Sequence, residues 1–414
     1  MSAVEGSIGE GSLGEGAPGA GVARREDARE AGRSHARRRA SLKDHGRAAL
    51  RALFAARGWP AWRADQVANW LYQQDATRLD QMTNLPAGLR DEIAAEFEVE
   101  TLEVVLTQRS VDGTQKLLLR AFDGASIEAV LIPEERRHTL CVSTQVGCPL
   151  TCSFCATGAL GFTRNLSAGE IVDQVLHARR RIPAGEALTN VVFMGMGEPL
   201  LNLPNVSEAI RILVDPKGLA LAPRRITVST AGVLPQIGPL LSVAPIHLAV
   251  SLHATTDAVR DVLVPLNKRF PLDELMATLR SEPQLNRRRP VFFEYTLMDG
   301  VNDSLEDARR MPKLLAGIPA KVNVIPMNPH ADAPYQPPPG AVVDRFTAAL
   351  HEAGLRVTLR RDRGRDIDAA CGQLANRAAP ARTGEPIPAG SADHPESRQD
   401  RRAEGRCQPG EAGS

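Results

Sequence analysis

Three cysteines with short spacing are the strongest chemical signal in the chain. Cys148, Cys152 and Cys155 lie in the segment CVSTQVGCPLTCSFCATGALGF, directly after a predicted strand. Three thiolates on one loop can surround a compact metal centre, and sulfur ligands favour zinc or an iron–sulfur cluster. Structural zinc usually takes four ligands. No histidine lies within a few residues, although His138 and His177 could supply the fourth. An iron–sulfur cluster with three protein ligands would instead leave one iron open to a cofactor or substrate.

Glycine and polar residues recur where predicted strands end. The segment FMGMGEP places Gly197 and Glu198 after one such strand. Glycine lets the backbone approach a ligand closely, and a carboxylate accepts hydrogen bonds from an ammonium group. Taken singly, residues of these types occur more often in turns. Because the carboxyl ends of parallel strands meet at one edge, we expect the set to form one site. Its other members are Ser229, Ser251, Leu252, His253 and Asn328.

The remaining cysteines divide into two isolated thiols and a tail residue. Cys141 lies in the predicted strand before the three-cysteine loop. A cysteine at such a position is ordinarily a buried strand residue. Cys371 lies in RGRDIDAACGQL, and Cys407 is interpreted as an incidental free thiol. Nearby cations lower the pKa of a thiol. The cations close to Cys371 in sequence are Arg360, Arg361, Arg363 and Arg365. Six cysteines in 414 residues are too few for a disulfide scaffold.

Alternating strands and helices between residues 140 and 372 must position these side chains. The predicted strands are TLCVST, NVVFMG, RITVST, IHLAVSL, PVFFEYTL, AKVNVIPM and LRVTLRR. The predicted helices include SAGEIVDQVLHARR, NVSEAIRILV, PLDELMATLRS, SLEDARRMPKLLAG and AVVDRFTAALHEAG. This alternation predicts an α/β fold with a parallel sheet and right-handed crossovers. Six or seven units fit an incomplete (β/α)6-type barrel, and a doubly wound open sheet is the alternative.

Two smaller regions precede the predicted barrel. Residues 43–100 carry apolar residues at helical spacing, interrupted at Asn84-Leu85-Pro86, and predict a small helical domain. Residues 101–139 predict a β-extension of short strands, with hairpin turns at Asp112-Gly113 and Asp123-Gly124.

Composition bounds what the rest of the chain can be. Residues 1–42 and most of 373–414 are poor in large apolar side chains and are predicted to be disordered. The net charge of +1 argues against a uniformly basic nucleic-acid binder. The sequence contains no apolar stretch of about 18 residues, so no membrane-spanning helix is predicted. The N-terminus lacks the pattern of a secretory signal.

The three-cysteine loop resembles the signature of the radical S-adenosylmethionine (SAM) superfamily. Its CxxxCxxC spacing, with Phe154 before the last cysteine, follows the first predicted barrel strand. The resemblance implies that Cys148, Cys152 and Cys155 bind a [4Fe–4S] cluster, whose fourth iron binds SAM for reductive cleavage to a 5′-deoxyadenosyl radical. It also assigns SAM contacts to the strand-end residues Gly197, Glu198, Ser229, Ser251, Leu252, His253 and Asn328.

Longer segments narrow the resemblance to the RlmN family of RNA methyltransferases. CVSTQVGCPLTCSFCATGALGFTRNL, VFMGMGEPLLNL, AVSLHATTD, VPLNK and DIDAACGQLA carry it, and it covers about residues 45–378. It implies methylation of an adenine C2 with two SAM per turnover. A first SAM methylates Cys371, and the radical from a second converts that methyl group into a methylene radical that adds to C2. By the same resemblance, Glu128 corresponds to the family's proton acceptor. Cys141 corresponds to the family's resolving thiol, which forms a transient disulfide with Cys371.

The resemblance also implies partners and surroundings. The RNA would be 23S rRNA and the anticodon loop of tRNAs, the electron donor a flavodoxin-like protein, and the enzyme a monomer without a membrane partner. Because the cluster and the reactive thiols need a reducing compartment, a cytoplasmic location is expected. Basic residues that could hold the RNA backbone are Arg47, Arg51, Arg57, Arg63, Arg136, Arg137, Arg179, Arg180, Arg181, Arg287, Arg288 and Arg289.

Two other functions remain open from the sequence. A Cfr-like enzyme, which methylates C8 of the same adenine, has nearly the same motifs. A protein of another class, a non-catalytic RNA-binding protein with a structural Cys₃His zinc site, would also account for the cysteines.

Overall fold

A computed structural model describes residues 40–135, 137–330, 334–360 and 363–375. Most of the two predicted disordered tails, including Cys407, therefore lies outside the described residues, as do Arg136 and Arg361. Within these ranges, no helix combines the length and the apolar character needed to cross a membrane.

A small helical region opens the described chain. Its elements are β1 (Ala40–Ser41), α1 (Arg47–Ala56), α2 (Arg63–Tyr72), α3 (Ala87–Glu96) and β2 (Phe97–Glu98). Leu50, Phe54, Leu71 and Ile93 bury the apolar faces of the three helices, as their spacing predicts. Helix α3 begins directly after Pro86, because proline is well tolerated at a helix start and poorly inside one.

A ten-stranded sheet forms the centre of the molecule. Its first strands are β3 (Leu102–Arg109), β4 (Gln115–Ala121), β5 (Ser126–Glu134) and β6 (Arg137–Cys141). A separate hairpin follows, made of β7 (Gln145–Gly147) and β8 (Phe162–Asn165). The sheet continues with β9 (Ala187–Phe193), β10 (Ile226–Thr230), β11 (His247–Ser251), β12 (Val291–Leu297), β13 (Ala320–Pro326) and β14 (Val357–Leu359). Strands β3 to β6 pair antiparallel, and every pair from β6 to β14 is parallel.

Helices connect the parallel strands. They are α4 (Ala156–Ala159), α5 (Ala168–Arg179), α6 (Leu203–Val214), α7 (Ile237–Leu241), α8 (Asp257–Leu263), α9 (Leu272–Ser281), α10 (Leu305–Leu314) and α11 (Gly340–Glu352). The longest of them begin where the sequence predicts. For example, Ser167 caps α5 by accepting a hydrogen bond from the Glu170 N–H, and the Glu170 carboxylate accepts one in return from the Ser167 N–H.

The strand order confirms the incomplete (β/α)6-type barrel. The sheet runs β3-β4-β5-β6-β9-β10-β11-β12-β13-β14, in chain order. The first six parallel strands are β6 and β9 to β13, and β14 adds a short seventh. A doubly wound sheet reverses its strand order at a switch point. This sheet does not, so the alternative architecture is wrong.

The predicted β-extension is part of the same sheet. Strand β5 pairs with β6, whose other edge pairs with β9, so that β3 to β5 continue the barrel at one side. The turn glycines Gly113 and Gly124 have φ of 84° and 80°, as the two predicted hairpins require.

The helical region is fixed to the barrel by a buried ion pair. The Lys43 Nζ lies 2.5 Å from the Asp173 carboxylate on α5, and both side chains are inaccessible to solvent. The Thr101 N–H and hydroxyl donate to the second oxygen of the same carboxylate. Asp173 therefore ties the N-terminal helical region to α5, the helix that follows the β7–β8 hairpin.

Candidate active site

The β7–β8 hairpin shapes the three-cysteine loop. Gly147 pairs with Phe162 at a φ of 73°, and the Cys148 N–H donates to the Gly161 carbonyl at 2.8 Å. A Cβ on Gly147 would lie 1.8 Å from that carbonyl oxygen, so only glycine fits. The loop ends where Cys155 leads into α4. The hairpin thus closes the loop at its base.

All three cysteines line one open cavity of about 990 Å³ at the carboxyl ends of the barrel strands. Burial raises the pKa of Cys148 to about 12 and also raises the pKa of Cys152. Buried thiols of this kind become thiolates when a metal supplies the compensating charge. The loop therefore has the chemistry of a metal-binding site with sulfur ligands.

Gly197 and Glu198 form the wall next to the cysteines. The Glu198 carboxylate accepts the N–H of Leu200 at 3.0 Å and of Ala231 at 2.8 Å. Burial raises the pKa of Glu198 to about 6. Gly197 has a φ of 97°, and a Cβ there would lie 2.5 Å from the Gln145 side chain. Glycine is therefore required at position 197 so that the chain can pack against Gln145 beside the buried Glu198 carboxylate.

The later strands contribute further polar groups. Ser229, Ser251 and His253 line the same cavity. Burial lowers the pKa of His253 to about 3, so its ring is neutral, and its Nδ1 accepts the Thr296 N–H. Leu252 is buried and does not line the cavity, and its N–H donates to the Glu294 carbonyl.

Asn328 lies beside the segment that carries Cys371. Its amide donates to the Cys371 carbonyl at 3.5 Å, and its side-chain oxygen is buried without a hydrogen-bond partner. A buried amide oxygen of this kind is available to accept a bond from a bound molecule.

Cys371 reaches the cavity on a loop that is tied down on two sides. The Ala156 N–H donates to the Gly372 carbonyl at 2.8 Å, and the Thr157 hydroxyl donates to the Leu374 carbonyl at 2.7 Å. On the other side, the Asp366 carboxylate accepts bonds from Ser110 and Val111, at the β3–β4 turn. The loop therefore places an exposed thiol at the edge of the cavity that holds the three cysteines.

Cys141 and Arg360 lie near Cys371. Burial raises the pKa of Cys141 to about 12, and the charge of Cys371 adds to the rise. Although burial opposes its charge, Cys371 and then Glu294 raise the pKa of Arg360. Neither cysteine takes part in a disulfide within the described ranges. One guanidinium thus faces both sulfur atoms.

Glu128 occupies a different position from the other predicted residues. It is buried on β5, outside the main cavity, and its carboxylate accepts the Ala375 N–H at 2.9 Å. Val130, two residues further on the same strand, pairs directly with Cys141. Since alternate residues share one face of a strand, Glu128 and Cys141 lie on the same face of the sheet. That face is the one covered by the Cys371 loop.

Several contributors to the site were missed by sequence reasoning. The buried Arg260 donates to the Ala231, Ser251 and Leu252 carbonyls and so holds two strand ends together. Glu294 lines the cavity and accepts a bond from Asn323. The available signal for Arg260 was a charged residue next to the apolar positions of the segment RDVLVPLNK. The strand ends that it contacts lie elsewhere in the sequence.

Most of the arginines considered for RNA binding interact within the chain. Ion pairs are formed by Arg47 with Asp215, Arg51 with Asp65, Arg57 with Glu96, and Arg180 with Asp75 and Glu100. Backbone carbonyls accept bonds from Arg63, Arg179, Arg181 and Arg289. The ion pairs of Arg47, Arg51 and Arg57 offset part of the positive charge that the helical region offers to a phosphate backbone.

The two histidines considered for the zinc alternative have other partners. His138 lies 2.6 Å from Glu186, and the His177 ring bonds to the Leu102 carbonyl, so neither is directed to the cysteines. Within the described ranges, no three His, Cys, Asp or Glu side chains are arranged to hold a single metal ion.

Comparisons with known proteins agree with this geometry. Residues 142–311 match the Radical SAM superfamily, and residues 40–99 match the ribosomal RNA large subunit methyltransferase N-terminal domain. The dual-specificity RNA methyltransferase RlmN of Geotalea uraniireducens is 46% identical over 79% of this chain and 94% of its own length. The protein of the same name from Anaeromyxobacter sp. is 48% identical over 82% of this chain and 91% of its own length. A crystal structure of a radical SAM methyltransferase from Sphaerobacter thermophilus has a TM-score of 0.77 at 46% identity, covering 82% of this chain and all of that one.

The cavity fits the cofactors of that superfamily, a [4Fe–4S] cluster and SAM. Three thiols on one loop suit iron, and the buried Glu198 carboxylate in the same cavity suits the ammonium group of an amino acid. The chain is therefore an enzyme that uses both cofactors. With this identity over nearly the whole length of its relatives, it belongs to the RlmN family of radical SAM methyltransferases.

Proposed function

We propose that the enzyme methylates C2 of an adenine in 23S rRNA, and of an adenine in the anticodon loop of tRNAs, through a methylated Cys371. Relatives of similar length are named dual-specificity RNA methyltransferases, which supports RNA as the substrate. The observation that carries the proposal is one cavity that brings Cys371 together with Cys148, Cys152 and Cys155.

Cys148, Cys152 and Cys155 would hold the cluster, and the strand-end residues would hold SAM. Gly197 and Glu198 suit its ammonium group, because a buried carboxylate next to an open backbone is a strong acceptor for a cation. When bound, the two cofactors supply one-electron chemistry that removes a hydrogen atom from an unactivated methyl group. The remaining SAM contacts in this proposal are Ser229, Ser251, Leu252, His253 and Asn328.

Cys371 would carry the methyl group. Carbon C2 of adenine is electrophilic, so a polar methyl transfer to it has no nucleophile. A thiolate is a good nucleophile toward the methyl of SAM, and the guanidinium of Arg360 favours the thiolate form of Cys371. The exposed position of Cys371 then lets its methylated sulfur meet an adenine that has been extruded from the RNA stack.

Cys141 and Glu128 would complete the reaction. The radical adduct between Cys371 and the base gives up one electron, which the cluster would take back, and one proton, for which Glu128 is the acceptor. The Cys141 sulfur then attacks the Cys371 sulfur, an S–S bond forms, and the S–CH₂ bond breaks. Its electron pair stays on the carbon, which takes a proton to become the methyl group. The raised pKa of Cys141 means that this thiol must lose its proton during that step.

The remaining parts of the proposal concern the enzyme's surroundings. Reduction of the cluster would come from a flavodoxin-like protein. The cluster and the free thiol pair both require a reducing compartment, which supports a cytoplasmic location. We propose a monomer, because the described chain holds every residue of the site.

Mass spectrometry of RNA from a strain that lacks the enzyme tests this function. The nucleosides of its 23S rRNA should lack 2-methyladenosine, and the unaltered enzyme should restore it. Cys371→Ala should restore none, and Cys141→Ala should yield a covalent RNA–protein species. If 8-methyladenosine is lost instead, the C8 alternative is right; if both nucleosides persist, the proposed function is wrong.

A further inference from the structure

One buried lysine near the site has no role in the proposed reaction. Lys116 lies on β4 and is only 4% exposed. A buried ammonium group is costly unless charged or polar partners compensate it. Its partners therefore indicate what the residue is for.

Lys116 contacts both Glu128 and the loop of Cys371. Its Nζ lies 3.2 Å from the Glu128 Oε1 and also donates to the Asp368 carbonyl at 3.2 Å. The other carboxylate oxygen of Glu128 accepts the Ala375 N–H. One ammonium group and one carboxylate therefore join β4, β5 and both ends of the segment that carries Cys371.

The register of the sheet sets this arrangement. Lys116 pairs with Val130, and Leu118 pairs with Glu128, so Lys116 and Glu128 are diagonal neighbours on one face. Val130 also pairs with Cys141 across the next strand. Lys116, Glu128 and Cys141 thus lie on one face of three adjacent strands, under the Cys371 loop.

An open cavity of about 720 Å³ adjoins this pair. Lys116, Glu128, His330 and Asp368 line it, together with Gln373 and Ala375. Ala156, which directly follows Cys155, also lines it, so this cavity adjoins both the three-cysteine loop and the loop of Cys371. The direction in which the Glu128 carboxylate points within this cavity decides what it can reach.

We propose that Lys116 is a positioning residue, which holds the Glu128 carboxylate oriented for proton removal from the RNA adduct of Cys371. This inference rests on the proposed function of Glu128. A general base works only when its acceptor oxygen lies within hydrogen-bond reach of the proton that it removes, and the contact with the Lys116 Nζ fixes where that oxygen lies. Lys116 acts after the adduct has formed, so that it serves the release of the product and not the methylation of Cys371.

Other contacts of the Cys371 loop allow an effect of Lys116 on product release to be separated from an effect on the methylation of Cys371. Asp366 binds Ser110 and Val111, and Gly372 binds Ala156, so the loop keeps its anchors without Lys116. Lys116→Met keeps the aliphatic stem and removes the charge. We expect its Cys371 to be methylated by SAM at a rate within about threefold of the parent, because the bonds at Cys371 itself are intact.

The test follows the reaction of each variant with unmodified 23S rRNA from the strain that lacks the enzyme. The full chain is loaded anaerobically with its cluster. Peptide mass spectrometry then measures Cys371 methylation before RNA is added, and denaturing gels measure the covalent RNA–protein species over time. In Lys116→Met, that species should decay about tenfold more slowly, in keeping with the contribution of a positioned base. Lys116→Arg should restore part of the rate, because it restores the charge.

Two further variants make each outcome decisive. Lys43→Met breaks the other buried lysine pair, with Asp173, and should release product at the parent rate. Glu128→Gln should accumulate the covalent species; if it does not, the role of Glu128 in the proposed function fails. If Glu128→Gln accumulates it and Lys116→Met releases product normally, only the inference about Lys116 fails. Equal losses of Cys371 methylation and of release in Lys116→Met would show a general structural role and also overturn the inference.

Discussion

The two thiols proposed to form the transient disulfide differ in accessibility and in acidity. Cys371 is exposed, whereas Cys141 lies within the sheet between β5 and β9. Burial raises the pKa of Cys141 to about 12. At pH 8 few Cys141 thiols are therefore ionised, and only the thiolate is nucleophilic. In the proposed reaction, the exposed thiol is the methyl acceptor and the thiol with the raised pKa is the resolving one.

Alkylation should reveal this difference. We expect iodoacetamide at pH 8 to modify Cys371 at least about tenfold faster than Cys141 in the cluster-loaded enzyme, because thiolate fraction and access both favour Cys371. Peptide mass spectrometry measures the two rates. Denatured enzyme is the control and should show nearly equal rates. Equal rates in the folded enzyme would contradict the environment described for Cys141.

Among the individual site residues, the sequence predicted those that act together and also lie close together in the chain. Cys148, Cys152 and Cys155 are recognisable because spacing alone brings their thiols together. Arg260 and Lys116 could not be predicted in the same way. Their contacts join residues that are between 7 and 252 positions apart, and the fold brings those residues together.

Several elements that shape the site are short. The hairpin of β7 and β8 has strands of three and four residues, and α8 has seven. Such short elements carry little periodicity, so the sequence did not predict them. The long helices α5 and α11 were predicted because their apolar faces repeat over several turns.

Two glycines of this hairpin region offer a matched comparison. Gly147 and Gly161 share a φ of 73°, but only Gly147 would bring a Cβ against a backbone oxygen. We expect Gly147→Ala to lose most of its iron on reconstitution, because the hairpin that supports Cys148 must open. Gly161→Ala carries the backbone strain alone, of order 1 kcal/mol, and should keep its cluster.

Iron content per chain and the visible absorption of the cluster measure the outcome for both glycine variants. Similar iron content in the two proteins would show that the close contact at Gly147 does not control the loop.

The whole molecule depends on contacts between regions that are distant in sequence. The helical region that begins the described chain is joined to α5 through the buried Lys43–Asp173 pair. Because α5 follows the β7–β8 hairpin that closes the three-cysteine loop, this pair links the N-terminal helices to the frame of the active site. The sequence predicted both regions separately, but a buried pair 130 residues apart leaves no local pattern.

Breaking this pair should destabilise the enzyme. Lys43→Met leaves the Asp173 charge buried, and we expect the free energy of unfolding to fall by about 3 kcal/mol. Urea unfolding monitored by circular dichroism measures it. Arg78→Ala removes the exposed ion pair with Asp80 and should change stability by less than about 0.5 kcal/mol. A loss from Lys43→Met no greater than that of the control would contradict a joining role for the pair.

In the proposed reaction, the methyl group reaches the base through the Cys371 sulfur, where it loses one hydrogen atom. The most direct test supplies SAM with a trideuterated methyl group to an enzyme that carries no methyl on Cys371. Methylated Cys371 then holds three deuterium atoms and loses one, and a solvent proton replaces it when the base is released. Mass spectrometry of the RNA nucleosides should find 2-methyladenosine with a CHD₂ group. A CD₃ group in the product would mean direct polar transfer from SAM and would contradict the account.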